Sequence, residues 1–94
     1  MLQYSTTLDG VFHALSDRSR RLMIERLTRG PASTSELAEP LDMSLSAVAQ
    51  HLKVLQRCGL VRSEKRGRER LCHVEPKALE VAASWLAKRR VKKG

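Results

Sequence analysis

The chain has 94 residues, 41% of them hydrophobic, which suits one modest core and therefore a single domain spanning 1–94. Its net charge is +8 and its only aromatic residues are Tyr4, Phe12 and Trp85. That balance disfavours surfaces that stack unpaired bases and leaves a duplex polyanion as the natural partner. No apolar run reaches about 18 residues, and the first residues lack the basic-then-apolar order of a signal peptide, so a cytoplasmic protein with no membrane contact is expected.

Residues 6 to 15 put Leu8, Val11, Phe12 and Leu15 on one side, which predicts a first helix. Ser16 or Asp17 caps a second helix, in which Leu22, Met23, Ile24 and Leu27 are apolar and which Gly30-Pro31 closes. Arg18, Arg20 and Arg21 crowd its first turn, where positive charge opposes the helix dipole. They are expected to pair with Asp17 or Glu25, or to face phosphate.

A short third helix starts near Ser33 or Thr34, with Glu36 in capping-box register to Ser33, Leu37 and Leu41 inward, and Pro40 and Asp42 limiting its length. After a tight turn through Leu41-Asp42-Met43, Ser44 caps a longer helix that ends before Gly59. Val48, Leu52 and Leu55 form its apolar stripe, while Ser46, Gln50, Lys53 and Arg57 project from the opposite side. Residues 34–58 thus have the pattern of a helix-turn-helix, whose second helix suits the DNA major groove; the plainer alternative is an αα-hairpin.

Beyond Gly59 the hydrophobic period becomes two. Residues 60–74 read as a hairpin with strands Leu60 to Arg66 and Glu69 to Val74 around Gly67, apolar Leu60, Val61, Leu71, Cys72 and Val74 facing the helices. The tip carries Lys65, Arg66 and Arg68, within reach of phosphates or a minor groove. A last helix runs from Pro76 to about Arg90 with Leu79, Val81, Ala82, Trp85 and Leu86 apolar, and a basic tail covers 88–94. From Arg62 to Arg70 five basic residues face two acidic ones, a net of +3, and Lys88 to Lys93 adds five basic residues and no acidic one. All excess charge lies in these two segments, as expected of a protein that meets a polyanion through defined surfaces.

Catalytic constellations are weak. His13, Ser16 and Asp17 are close in sequence, but Cys72 and His73 point to opposite strand faces, and neither a phosphate loop nor a nucleophile elbow is present. Cys58 and Cys72 are too few and too far apart for a disulfide framework or a metal knuckle, and no cofactor is implied.

The chain resembles the ArsR/SmtB family of bacterial winged helix-turn-helix repressors. The carrying residues are Phe12 to Arg20 ahead of the second helix, Ser35-Glu36-Leu37-Ala38 in the third, Ser44 to Leu55 in the fourth, then Gly59-Leu60-Val61 and Gly67-Arg68. The resemblance implies a mainly α fold with a small β-hairpin, ordered helix-helix-helix-helix-strand-strand-helix. It also implies a homodimer, with Leu8, Val11, Phe12, Leu79, Ala82, Trp85 and Leu86 at the contact, that represses transcription from an inverted repeat. By position, Ser44, Ser46, Ala47, Gln50 and His51 fall on the family's groove-facing residues, and Lys53, Arg57, Lys65, Arg66 and Arg68 supply charge. His51 lies at the edge of the apolar stripe, where a helix-holding hydrogen bond competes with DNA contact.

The sequence departs from the family's metal sensors. The third helix, Thr34-Ser35-Glu36-Leu37-Ala38-Glu39, has no cysteine, and the last has Glu80 and no histidine, so no metal site of the family type is expected. Two alternatives to a plain repressor remain: a thiol-responsive regulator using Cys58 and Cys72, and a protein-interaction adaptor of the same fold.

Overall fold

The structure, a computed structural model, describes residues 7–92. In chain order its elements are α1 (Leu8–Leu15), α2 (Arg18–Leu27), β1 (Ala32–Ser33), α3 (Thr34–Leu41), α4 (Leu45–Arg57), β2 (Val61–Arg66), β3 (Glu69–Val74) and α5 (Pro76–Ala87). The three strands form one antiparallel sheet in the order β1-β3-β2. Residue 6, where the sequence pattern starts the first helix, lies outside the described residues, as do Tyr4 and Lys93.

Short polar side chains set the helix starts. Thr7, Asp17, Ser33 and Ser44 accept hydrogen bonds from the backbone N–H groups of Gly10, Arg20, Glu36 and Ala47 at 3.0, 3.0, 3.2 and 3.1 Å. Of the two candidates for the second helix, Asp17 is therefore the cap. Glu36 returns the bond by accepting from the Ser33 N–H at 2.9 Å, which completes the capping box and holds its carboxyl below the usual range. α3 and α4 close alike, on a left-handed residue: Asp42 at φ 51° and Gly59 at φ 77°. The next N–H reaches back five residues in each, Met43 to the Ala38 carbonyl at 3.4 Å and Leu60 to the Leu55 carbonyl at 2.9 Å.

Three details differ from the sequence reading. Arg20 and Arg21 pair with carbonyls rather than carboxylates. Arg20 Nε and Nη2 donate to the Ala14 and His13 carbonyls at 2.7 and 3.1 Å, and Arg21 Nη1 donates to Leu15 at 2.7 Å. The charge that opposes the dipole of α2 thus sits on the unsatisfied C-terminus of α1, where it is favourable. α5 stops at Ala87, short of Arg90, where the apolar positions give out and every described residue is exposed. The strand β1 was not foreseen; it exists because Ala32 and Ser33 pair with Cys72 and Leu71.

The core gathers Met23, Leu37, Val48, Leu55, Leu60 and Cys72 between the helices and the inner face of the sheet. α1 packs against α5, and the same core includes Val11 and Ala82, 0% and 6% exposed. These two were expected at a subunit contact and are instead consumed within one chain. Leu8 and Leu79 are half-buried, whereas Phe12, Trp85 and Leu86 remain outside at 37%, 40% and 55% exposure. Among the described residues no helix is long and apolar enough to cross a membrane.

Candidate nucleic-acid interface

The fold fixes α4 by one face. Val48, Leu52 and Leu55 are buried, so Ser46, Gln50, Lys53 and Arg57 stand in solvent on the opposite side. Ser44 is exposed as well, with its hydroxyl occupied in capping Ala47. Ala47 and His51 are half-buried and lie on the flank. His51 Nδ1 is 3.9 Å from Asp17 Oδ2, with 22% of its side chain exposed, so it bridges α4 to the start of α2. The Asp17 carboxyl is held below the usual range, first by the Arg20 backbone N–H and then by the charges of His51 and Arg20. At 3.9 Å the approach is too long for the helix-holding hydrogen bond, and it singles out neither of the two roles open to His51.

The hairpin β2-β3 projects beside α4. Arg66 pairs with Glu69, leaving Gly67-Arg68 as a two-residue loop, and Gly67 takes φ 60° at its first position, which a side chain would oppose. Cys72 and Val61 point into the core and anchor the hairpin, while Arg62, Glu64 and His73 lie on the opposite face of the strands. Several of those charges are internally engaged. Arg62 Nε lies 2.7 Å from Glu75 Oε1, His73 Nε2 lies 2.8 Å from Glu64 Oε1, and Arg66 Nη2 is 3.8 Å from the same Glu64 oxygen. Such surface pairs contribute little stability, but they lower the charge available to an external anion.

Lys53 and Arg57 on α4, and Lys65 and Arg68 at the hairpin tip, have no hydrogen-bond or ion-pair partner among the described residues. The expected cationic set therefore divides: these four are available, and Arg66 is partly neutralised by Glu64. A joint that the sequence reading missed links the two parts. Gln56 Nε2 and Arg70 Nη1 both donate to Ser63 Oγ, at 3.1 and 3.2 Å. The signal was a polar residue in the last turn of α4, three before Gly59.

The residues considered for catalysis have other uses. The Ser16 hydroxyl donates to the His13 carbonyl at 2.6 Å, and Asp17 caps α2. Cys58 and Cys72 are buried, and burial pushes both thiols up, away from the reactive thiolate. Among the described residues no three His, Cys, Asp or Glu side chains gather as a metal site.

A helix-turn-helix whose second helix offers a polar outer face, followed by a basic two-stranded wing, defines the winged helix-turn-helix class. Comparison with known proteins agrees. Residues 15–64, more than half of the chain, match the family described as helix-turn-helix domain. The chain is 42% identical over 71 residues to the HTH-type transcriptional regulator Rv2034 of Mycobacterium tuberculosis, covering 76% of this chain and 66% of that protein. It is 35% identical over 66 residues to the HTH-type transcriptional regulator NmtR of the same organism, covering 70% and 55%. It thus spans less than two thirds of the length of both. A solved ArsR family transcriptional regulator, RHA00566, superposes with a TM-score of 0.78 at 43% identity, covering 86% of this chain and 84% of that one. The chain belongs to the ArsR family of winged helix-turn-helix transcriptional regulators, and its relatives are regulators rather than enzymes.

Proposed function

We propose that this protein is a sequence-specific double-stranded DNA-binding regulator, acting as a dimeric repressor on an inverted-repeat operator. The observation that carries the reading is the partition of side chains on α4: the inner stripe is fully buried, while Ser46, Gln50, Lys53 and Arg57 face solvent beside the unpaired cations Lys65 and Arg68. Hydrogen-bonding groups on a helix sized for the major groove read base edges, and the wing cations meet phosphate.

A second copy is the natural cover for the exposed apolar face of α1 and α5. Phe12 and Trp85 meet edge to face, with ring centroids 6.1 Å apart, and Leu86 extends the patch. A symmetric contact there pairs the two α4 helices, matching a palindrome, and the bound dimer blocks promoter DNA sterically. Membership of the family supports this reading.

Selection of bound duplexes from a random pool tests it. The expected product is an inverted repeat with half-sites about one helical turn apart or a multiple of that; enrichment of single strands, or of no sequence at all, contradicts it. A thiol-responsive mechanism is less well supported, because both cysteines are buried with raised pKa values. The basic wing and the cationic face of α4 argue against a pure protein adaptor.

A further inference from the structure

Leu45 is the first residue of α4 and is 55% exposed. It takes no part in the core, whose contribution from α4 comes from Val48, Leu52 and Leu55. Ala49, four residues on and also exposed, shares its face, so the two form a short apolar strip beside Ser46 and Gln50. The strip is too small for a protein-docking patch, and exposed Lys53, one turn beyond Ala49, continues the same side of the helix with positive charge, so the complementary partner is anionic. The N-terminal residues of a recognition helix are those that meet base edges. In the major groove, the one apolar group on those edges is the C5 methyl of thymine.

We propose that Leu45, backed by Ala49, is a specificity-determining residue that packs against thymine methyl groups, so that each half-site requires thymine under the start of α4. This rests on the reading of α4 as a major-groove helix given under Proposed function. It adds an apolar term to a face otherwise read by hydrogen bonds.

The test replaces each thymine of the selected duplex, one at a time, with uracil, which removes only the methyl group. Wild type should lose about fourfold in affinity for each contacted methyl. Leu45→Ala should show a similar loss on the unmodified duplex and no further loss with uracil, and its melting temperature should match wild type because the side chain is outside the core. Leu45→Met, which keeps an apolar reach, should restore sensitivity to uracil. A wild-type protein that binds the duplex tightly and tolerates uracil at every position overturns this proposal alone, as does a Leu45→Ala variant that keeps full sensitivity. A wild-type protein that binds no duplex overturns the DNA-binding reading itself.

Discussion

Gln56, in the last turn of α4, donates its side-chain amide to the Ser63 hydroxyl of β2 across 3.1 Å, and Arg70 of β3 donates to the same oxygen at 3.2 Å. One hydroxyl thus joins the recognition helix to both strands of the wing. Exposed hydrogen bonds of this kind contribute about 1 kcal/mol or less to stability, so their value lies in fixing one angle between the two surfaces proposed to engage the duplex.

Ser63→Ala should therefore leave the melting temperature nearly unchanged and weaken operator binding by about threefold to tenfold, the cost of ordering a loosened wing. Removing the Arg68 charge in that background should have less effect than in wild type, because a misaligned wing already misses its phosphate. Calorimetry and binding titrations on the two single variants and the double variant measure both. Unchanged affinity in Ser63→Ala would leave the joint without a role in binding.

The subunit contact is expected to rest on the residues that the fold leaves outside. Leu86→Glu introduces charge at a position 55% exposed in the single chain, so folding should be preserved. Sedimentation should show a dimer for wild type and a monomer for the variant, with operator affinity reduced by about a hundredfold or more as the second half-site is lost. Affinity for an isolated half-site should stay the same. A variant that remains dimeric would move the contact to another face.

Acid should destabilise the protein through its caps. The Asp17 carboxyl is lowered chiefly by the Arg20 N–H, and that of Glu36 chiefly by the Ser33 N–H. Each folded pKa lies below its unfolded value, so the stabilisation is complete above about pH 5, beyond both unfolded values, and is lost as pH falls through the folded values. Asp17→Asn keeps a capping acceptor that does not titrate, and its melting temperature should fall less steeply below about pH 4 than that of wild type. Asp17→Ala should cost about 1 kcal/mol at neutral pH. A protein that gains stability on acidification contradicts this account.

The recognition helix was legible in the sequence because its signals are local: Ser44 and Gly59 mark its ends, and Val48, Leu52 and Leu55 mark its inner face. The capping box at Ser33 and Glu36 was legible for the same reason. What escaped depends on tertiary approach. A stripe on α1 or α5 does not say whether it meets its own chain or another, so Val11 and Ala82 were grouped with Phe12 and Trp85, although the first two are core. β1 has only two residues, too few for alternation, and its pairing with β3 is set by the packing of α2 and α3. In the wing, net charge overstated what is available, because Arg62 is engaged by Glu75, an acid just beyond the basic segment. Leu45 had no role in the sequence reading, because its place three residues before Val48 does not say whether the start of the helix is covered, and only the fold shows it 55% exposed.

The division of labour between α4 and the wing is tested most directly by titrating labelled operator and a scrambled duplex of equal length with wild type, Gln50→Ala and Arg68→Ala, each between about 50 and 200 mM salt. Wild type should prefer the operator by about a thousandfold or more. It should lose on the order of a thousandfold in affinity across that salt range, as expected if the dimer neutralises about six to ten phosphates. Gln50→Ala should weaken the operator alone, by about 1–3 kcal/mol at one base pair, whereas Arg68→Ala should weaken both duplexes alike and flatten the salt response. Equal affinity of wild type for the two duplexes, or equal losses on both with Gln50→Ala, would contradict base reading by α4.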